Sequence, residues 1–159
     1  MSNIQSTIKN IQNIMRKDAG VDGDAQRISQ LVWMLFLKIF DDKETELEFI
    51  DTKYKSPIPE NIRWRNWATD AEGITGEALF SFIDLTLFPT LKNLSIHPSD
   101  TRGQIIKSVF TDTYNYMKNG TLIRQVVNKI NEIDFNKKED RHAFGDLYAS
   151  GTSRLGVAE

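Results

Sequence analysis

One run, Leu31-Val32-Trp33-Met34-Leu35-Phe36-Leu37, followed by Lys38 and then Ile39-Phe40, constrains this chain more than any other feature. Ten residues are too few to span a bilayer, which needs about 20. The run sits inside a longer helical pattern predicted from about Ala25 to Glu48, with Asp24 as its N-cap. A helix that is apolar on every face must be wrapped by other elements. The chain has 159 residues, enough to do the wrapping. At this size folding buries about 68–70% of the surface that the unfolded chain exposes.

The remaining pattern is helical nearly throughout. Ile4, Ile8, Ile11 and Met15 form one stripe on a first helix, about Ile4 to Lys17. A third helix is predicted from Gly76 to Leu87, with Thr75 as N-cap and Pro89 stopping or kinking it. A fourth, about Thr101 to Met117, follows the His97-Pro98-Ser99-Asp100 turn and turns Ile105, Ile106, Val109 and Phe110 inward. Asn119-Gly120 ends it, and Thr121 caps a fifth helix carrying Leu122, Val126, Val127, Ile130 and Ile133. A short last helix is expected to hold Phe144, Leu147 and Tyr148, with a frayed tail from Ala149. No alternation is long enough to build a sheet. The expected architecture is an all-α, compact orthogonal bundle of five or six helices with one long ordered loop over about 51–74.

Composition narrows the chemistry. There is no cysteine, which excludes disulfides, thiolate metal sites and cysteine nucleophiles. His97 and His142 are the only histidines, too few for a His-rich metal site. Neither a signal-peptide core nor a membrane span is visible, so a cytoplasmic location is expected. The net charge of −2 is unlike that of a small free-standing nucleic-acid binder, so any DNA contact must be a local patch or depend on a partner. The glycines are scattered and form no phosphate cradle.

Two charged features stand out. The end of the second helix is acidic, with Asp41, Asp42, Glu44, Glu46, Glu48 and Asp51 against only Lys43. Anions at a helix C-terminus oppose the macrodipole, so this end must be solvated or paired with a basic partner, a solvated face being the ordinary arrangement. In the following connection, Lys53, Tyr54, Lys55, Arg63, Trp64, Arg65 and Trp67 bring four cations and three aromatics into fifteen residues. The interleaving suits phosphate contact and base stacking, which makes Lys53, Lys55, Arg63, Trp64, Arg65 and Trp67 candidate DNA or partner contacts. On the structural reading, Trp64 and Trp67 pin the loop to the bundle while the arginines face water. Lys38, a lone cation in an apolar helix, must snorkel or pair with a carboxylate.

Five segments, in order, resemble the methyltransferase subunits of type I restriction–modification systems. Residues 24–42, with Leu35-Phe36-Leu37-Lys38 leading to Asp41-Asp42, are similar to that family's helical "LxFLKxxxD" signature. Pro59 to Trp64 resembles its proline-then-Arg-Trp segment, and Leu87 to Leu94 its "LFPxLKxL". Val126 to Phe135 and Phe144 to Tyr148 resemble the lead into its catalytic domain.

The resemblance implies an N-terminal helical domain over residues 1–148. In the family's full subunits S-adenosylmethionine supplies the methyl group for adenine N6, after the base leaves the duplex. The helical domain helps close the complex around double-stranded DNA. The implied partners are the specificity subunit, a second methyltransferase subunit and the restriction subunit. The family's Gly-Glu-Phe-Tyr-Thr-Pro segment, cofactor loop and Asn-Pro-Pro-aromatic motif are not in these residues, and Ala149 stands where an acidic residue is usual. The chain therefore reads as a truncated subunit, inactive alone, with no catalytic, cofactor or metal residue carried over. The alternative is a helical adaptor between proteins with no DNA contact.

Overall fold

The computed structural model describes residues 4–135, and these form an all-α bundle. The expected last helix around Phe144 to Tyr148 and the tail from Ala149 lie outside them. In chain order the helices are α1 (Ile4–Met15), α2 (Gly23–Ile50), the one-turn α3 (Trp64–Trp67), α4 (Gly76–Phe82), α5 (Phe88–Lys92), α6 (Thr101–Thr111) and α7 (Gly120–Ile130). No helix among the described residues is long and apolar enough to cross a membrane.

α2 is the wrapped hub that its apolar run requires. Leu31, Trp33, Met34, Leu35 and Leu37 are buried. Trp33 meets Phe88 edge-on at 4.8 Å and Phe110 at 6.4 Å, and Phe88 meets Phe110 at 5.4 Å. These ring pairs tie α2 to α5 and α6. Each such pair adds about 0.5–1.5 kcal/mol beyond the area it buries. Asp24 is not the N-cap of α2. The helix starts one residue before it, Asp22 occupies the cap position, and the Asp22 N–H donates to Gln26 Oε1 at 2.7 Å. Asp24 lies in the first turn, where its charge suits the dipole, and pairs with Arg27.

Pro89 does not stop the third helix. α4 passes through a π turn, Ile83–Leu87, directly into α5. In this turn the Phe88 N–H donates to the Ile83 carbonyl, five residues back. Proline has no N–H to contribute, and the wider turn makes room for its ring within the continuing rod.

α6 ends at Thr111, six residues before the predicted Met117. Asp100, the last residue of the turn before it, caps it by accepting from the Gly103 N–H at 2.9 Å. Beyond Thr111 side chains of other elements satisfy the backbone better than a continued helix would. Gln30, buried within α2, donates to Asn115 Oδ1 at 2.8 Å and accepts from the Tyr116 N–H at 2.7 Å. Asp18, buried after α1, accepts from the backbone N–H groups of Gly20, Lys118 and Asn119. Residues 113–119 are thereby held outside any helix.

Asn119 does not end α6. It is the N-cap of α7 and accepts from the Leu122 N–H, so Thr121 is not the cap. The inward face of α7 is Ile123, Val126, Val127 and Ile130, with Leu122 only half-buried. On α6, Ile106 and Phe110 are buried, whereas Ile105 is largely exposed. α7 lies against α4 and α1. At the α4 contact a Cβ on Gly120 would overlap the Gly76 carbonyl oxygen, and Gly76 itself has φ +60°. Glycine is required at both positions for different reasons, close approach at one and backbone conformation at the other.

Candidate functional site

The connection after α2 is anchored by its aromatic residues. Ile58, Ile62, Trp64, Trp67 and Ala68 are buried. The Trp64 Nε1–H donates to Asn131 Oδ1 at 2.9 Å, and the Trp67 Nε1–H donates to the Ile62 carbonyl at 3.1 Å. The two indoles meet at 5.1 Å, and Trp67 continues to Phe82 at 5.5 Å. Arg124 of α7 holds the far half. It donates to the carbonyls of Trp67, Ala68, Asp70 and Ile74 at 2.9–3.1 Å. Burial pulls the Arg124 guanidinium below its ordinary pKa, with the charge of Asp70 opposing that shift.

The acidic end of α2 is solvated on one side only, where Glu46 and Asp51 are exposed, and the arginines of the loop do not face water. Glu44 is fully buried and Asp41 nearly so. Arg63 reaches Glu44 at 3.2 Å, Glu48 at 2.9 Å and Glu60 at 3.3 Å. Arg65 reaches Asp41 at 2.9 Å and Glu48 at 2.8 Å. The Tyr54 hydroxyl donates to Glu44 Oε2 at 2.9 Å and accepts from Arg102 Nε at 3.3 Å, which joins α6 to the knot. The Arg102 guanidinium also lies 4.1 Å over the Phe40 ring. The basic partner that the helix end required is thus in the same chain.

These contacts shift the groups in consistent directions. Hydrogen bonding from Arg65, helped by Arg63, holds the Glu48 carboxyl below its usual range against the opposing effect of burial. Burial, then donation to Glu44, raises the Tyr54 phenol. Burial works against the charges of Arg63 and Arg65, but their carboxylate partners outweigh it and both guanidinium groups hold their protons more firmly than usual.

Of the six candidate contacts, Arg63, Trp64 and Trp67 are buried and Arg65 is partly covered within its ion pairs. Lys53 and Lys55 are exposed, and neither takes part in an ion pair among the described residues. Lys38 pairs with Asp42 at 3.0 Å, the carboxylate partner expected for a cation there, and also lies 5.7 Å from the Phe135 ring centre. No group of His, Cys, Asp or Glu among the described residues could hold a metal ion.

The model of the HsdM N-terminal domain matches residues 4–130. The chain belongs to this family. Over 147 residues the HsdM N-terminal domain chain is 60% identical to the type I restriction enzyme EcoEI methylase subunit of Escherichia coli, an alignment covering 91% of this chain and 30% of that protein. Its fold resembles a modification subunit of a putative type I restriction enzyme from Vibrio vulnificus YJ016, with TM-score 0.81, 35% identity and coverage of 96% of this chain and 35% of that one. It equally resembles a chain from a structure describing complex assembly and conformational transition of the type I restriction–modification system, with TM-score 0.81, 27% identity and coverage of 96% and 30%. The chain spans about a third of the length of these relatives.

Proposed function

We propose that this chain is the N-terminal helical module of a type I restriction–modification DNA adenine-N6 methyltransferase subunit. In this role it helps clamp DNA and contacts the specificity subunit, a second methyltransferase subunit and the restriction subunit. S-adenosylmethionine and the target adenine are assigned to the two-thirds of the relatives' length that this chain does not span. The observation that carries the reading is the family match over residues 4–130 together with 60% identity to a methylase subunit. Within the 53–67 patch the roles divide. Lys53 and Lys55, exposed and without an ion pair among the described residues, are the DNA-contact residues, and Arg65 lies at their rim with its charge matched by Asp41 and Glu48. Arg63, Trp64 and Trp67 hold the loop in the shape that presents them.

A second reading, an adaptor between proteins only, is favoured by Phe49 and Ile50. They close α2 with 90% and 79% of their surface exposed, a pair of large apolar side chains more typical of a protein contact. One experiment separates the readings. Lys53→Gln/Lys55→Gln, introduced into a full-length methylase subunit assembled with its partners, should weaken DNA retention while leaving assembly intact. The loss should be greatest at low salt, and the slope of log affinity against log salt should fall by about 0.9 per phosphate contact removed. Unchanged retention at every salt concentration, with assembly intact, would favour the adaptor.

A further inference from the structure

The joint between residues 113–119 and α7 carries a chemistry that none of the roles above uses. Asn119 is exposed and is followed directly by Gly120, the only Asn-Gly pair in the sequence. In such a pair the glycine nitrogen can attack the asparagine side-chain carbonyl carbon, because no Cβ on the second residue hinders the approach. Packing fixes both partners of the pair. A Cβ on Gly120 would overlap the Gly76 carbonyl oxygen, so the contact between α4 and α7 requires glycine there. Residue 119 must cap α7, and asparagine is among the few residue types that cap well.

Three hydrogen bonds hold Asn119 away from the reacting geometry. Its Oδ1 accepts from the Leu122 N–H at 3.0 Å, its N–H donates to Asp18 Oδ2 at 2.9 Å, and its carbonyl accepts from the Ile123 N–H at 3.0 Å. Asp18 is a firm anchor, since it is buried and also accepts from the Gly20 and Lys118 N–H groups. Closing a five-membered ring requires the Cα–Cβ bond of Asn119 to eclipse its C–N bond to Gly120. With tetrahedral geometry at Cα, the observed ψ of 107° leaves those bonds more than a quarter turn apart. Turning ψ that far swings the Asn119 carbonyl off the Ile123 N–H and the side chain off the Leu122 N–H, which undoes the first turn of α7.

We infer that Asn119 is a deamidation site that the α7 cap keeps latent, reacting only when the first turn of α7 opens. In the open state the Gly120 nitrogen bonds to Asn119 Cγ and gives its proton to water or hydroxide, and Nδ2 leaves as ammonia. Water then opens the succinimide. Attack at the side-chain carbonyl yields aspartate, and attack at the main-chain carbonyl yields isoaspartate, whose backbone is longer by one methylene. The products differ in fate. Aspartate still caps, and its charge suits a helix N-terminus. Isoaspartate lengthens the chain between the Asp18 anchor and Gly120, where not even a Cβ fits against Gly76, so α7 cannot return to its seat on α4.

The test ages the full 159-residue chain in warm, mildly alkaline buffer with and without urea, and reads Asn119, aspartate and isoaspartate by peptide mass spectrometry. Deamidation at Asn119 should be at least about tenfold slower in the folded chain, which corresponds to an opening free energy of about 1.4 kcal/mol or more. Leu122→Pro removes the N–H that Asn119 Oδ1 accepts from, at a first-turn position where proline is tolerated, and should speed the reaction several-fold without urea. Circular dichroism checks that this variant folds, and if it does not, the comparison with and without urea decides alone. Asn119→Asp should unfold at the parent's urea midpoint, whereas the isoaspartate fraction of aged protein should unfold at lower urea. Equal rates with and without urea would overturn the latency, and no reaction at Asn119 in urea would overturn the site itself. An isoaspartate fraction as stable as the parent would overturn the claim that α7 cannot reseat.

Discussion

Truncating Arg63 to alanine is expected to cost about 3–5 kcal/mol of folding stability, read as a lower denaturant midpoint with little change in slope. The size follows from what is left behind. Glu44 is fully buried and would keep only the Tyr54 hydroxyl as a hydrogen-bond partner, because its guanidinium would be gone. Glu48 would retain Arg65, and Glu60 is exposed, so neither adds much. Arg63→Lys should recover only part of the loss, since one ammonium cannot reproduce a fork that reaches Glu44, Glu48 and Glu60 together. Adding Glu44→Leu to an Arg63→Met background should be milder than Arg63→Met alone, because removing both charges leaves no buried ion uncompensated. A double variant at least as damaged as the sum of its parts would mean that the pair itself is not the source of the effect.

The same knot makes stability depend on pH in two directions. Glu48 has its carboxyl pKa depressed in the folded state, so its contribution is present above the unfolded value of about 4.3 and is lost as pH falls through the lower folded value. Tyr54 has its pKa raised, so its contribution is fully present below the unfolded value of about 10 and is lost as pH rises through the folded one. Ionising that phenol would set a phenolate against the Glu44 carboxylate that it now serves as donor. A denaturation series should therefore show a plateau near neutrality with losses on both sides, and Tyr54→Phe should flatten the alkaline loss.

Replacing Arg124 by methionine is expected to destabilise the fold by about 2–4 kcal/mol. The four carbonyls that Arg124 serves are not equally dependent on it. Ala68 O also accepts from Asn131 Nδ2 at 2.8 Å, and Asp70 O from the Gly73 N–H at 2.8 Å. Among the described residues Trp67 O and Ile74 O accept only from the guanidinium, so those two are stranded by the change. Each buried acceptor left without a donor costs about 1–3 kcal/mol, offset in part because methionine avoids burying a charge. Arg124→Lys should not rescue, since a single ammonium cannot span Trp67 to Ile74. A loss below about 1 kcal/mol for the methionine variant would mean that the loop finds other donors.

The sequence made the hub helix and its surroundings readable because an all-round apolar run has few other solutions. The pinning role of Trp64 and Trp67 was readable too, since large aromatics in a proline-bounded connection need a place to go. The pairing of Arg63 and Arg65 with the end of α2 was half visible: each cluster carried an unmatched charge, but partners 15 to 24 residues apart meet only if the loop turns back. The early end of α6 was hidden because its cause is Gln30, some 85 residues away, whose side chain replaces helical hydrogen bonds. A lone glutamine within an apolar helix was the available signal. Pro89 does not stop the helix, because a π turn lets it continue. Lys53 and Lys55 looked no different from their neighbours in the sequence, and only burial separates them from Arg63, Trp64 and Trp67.

Hydrogen exchange of the tryptophan indole N–H groups, followed by NMR, tests most directly whether the 51–74 connection is built into the bundle. Trp64 Nε1–H is bonded to Asn131 and Trp67 Nε1–H to Ile62, both inside the fold, so both should exchange about as slowly as backbone amides of α2. Exchange of either at the rate of a solvent-exposed indole, while the α2 amides stay protected, would mean that the loop stands away from the bundle, its arginines free of the acidic helix end.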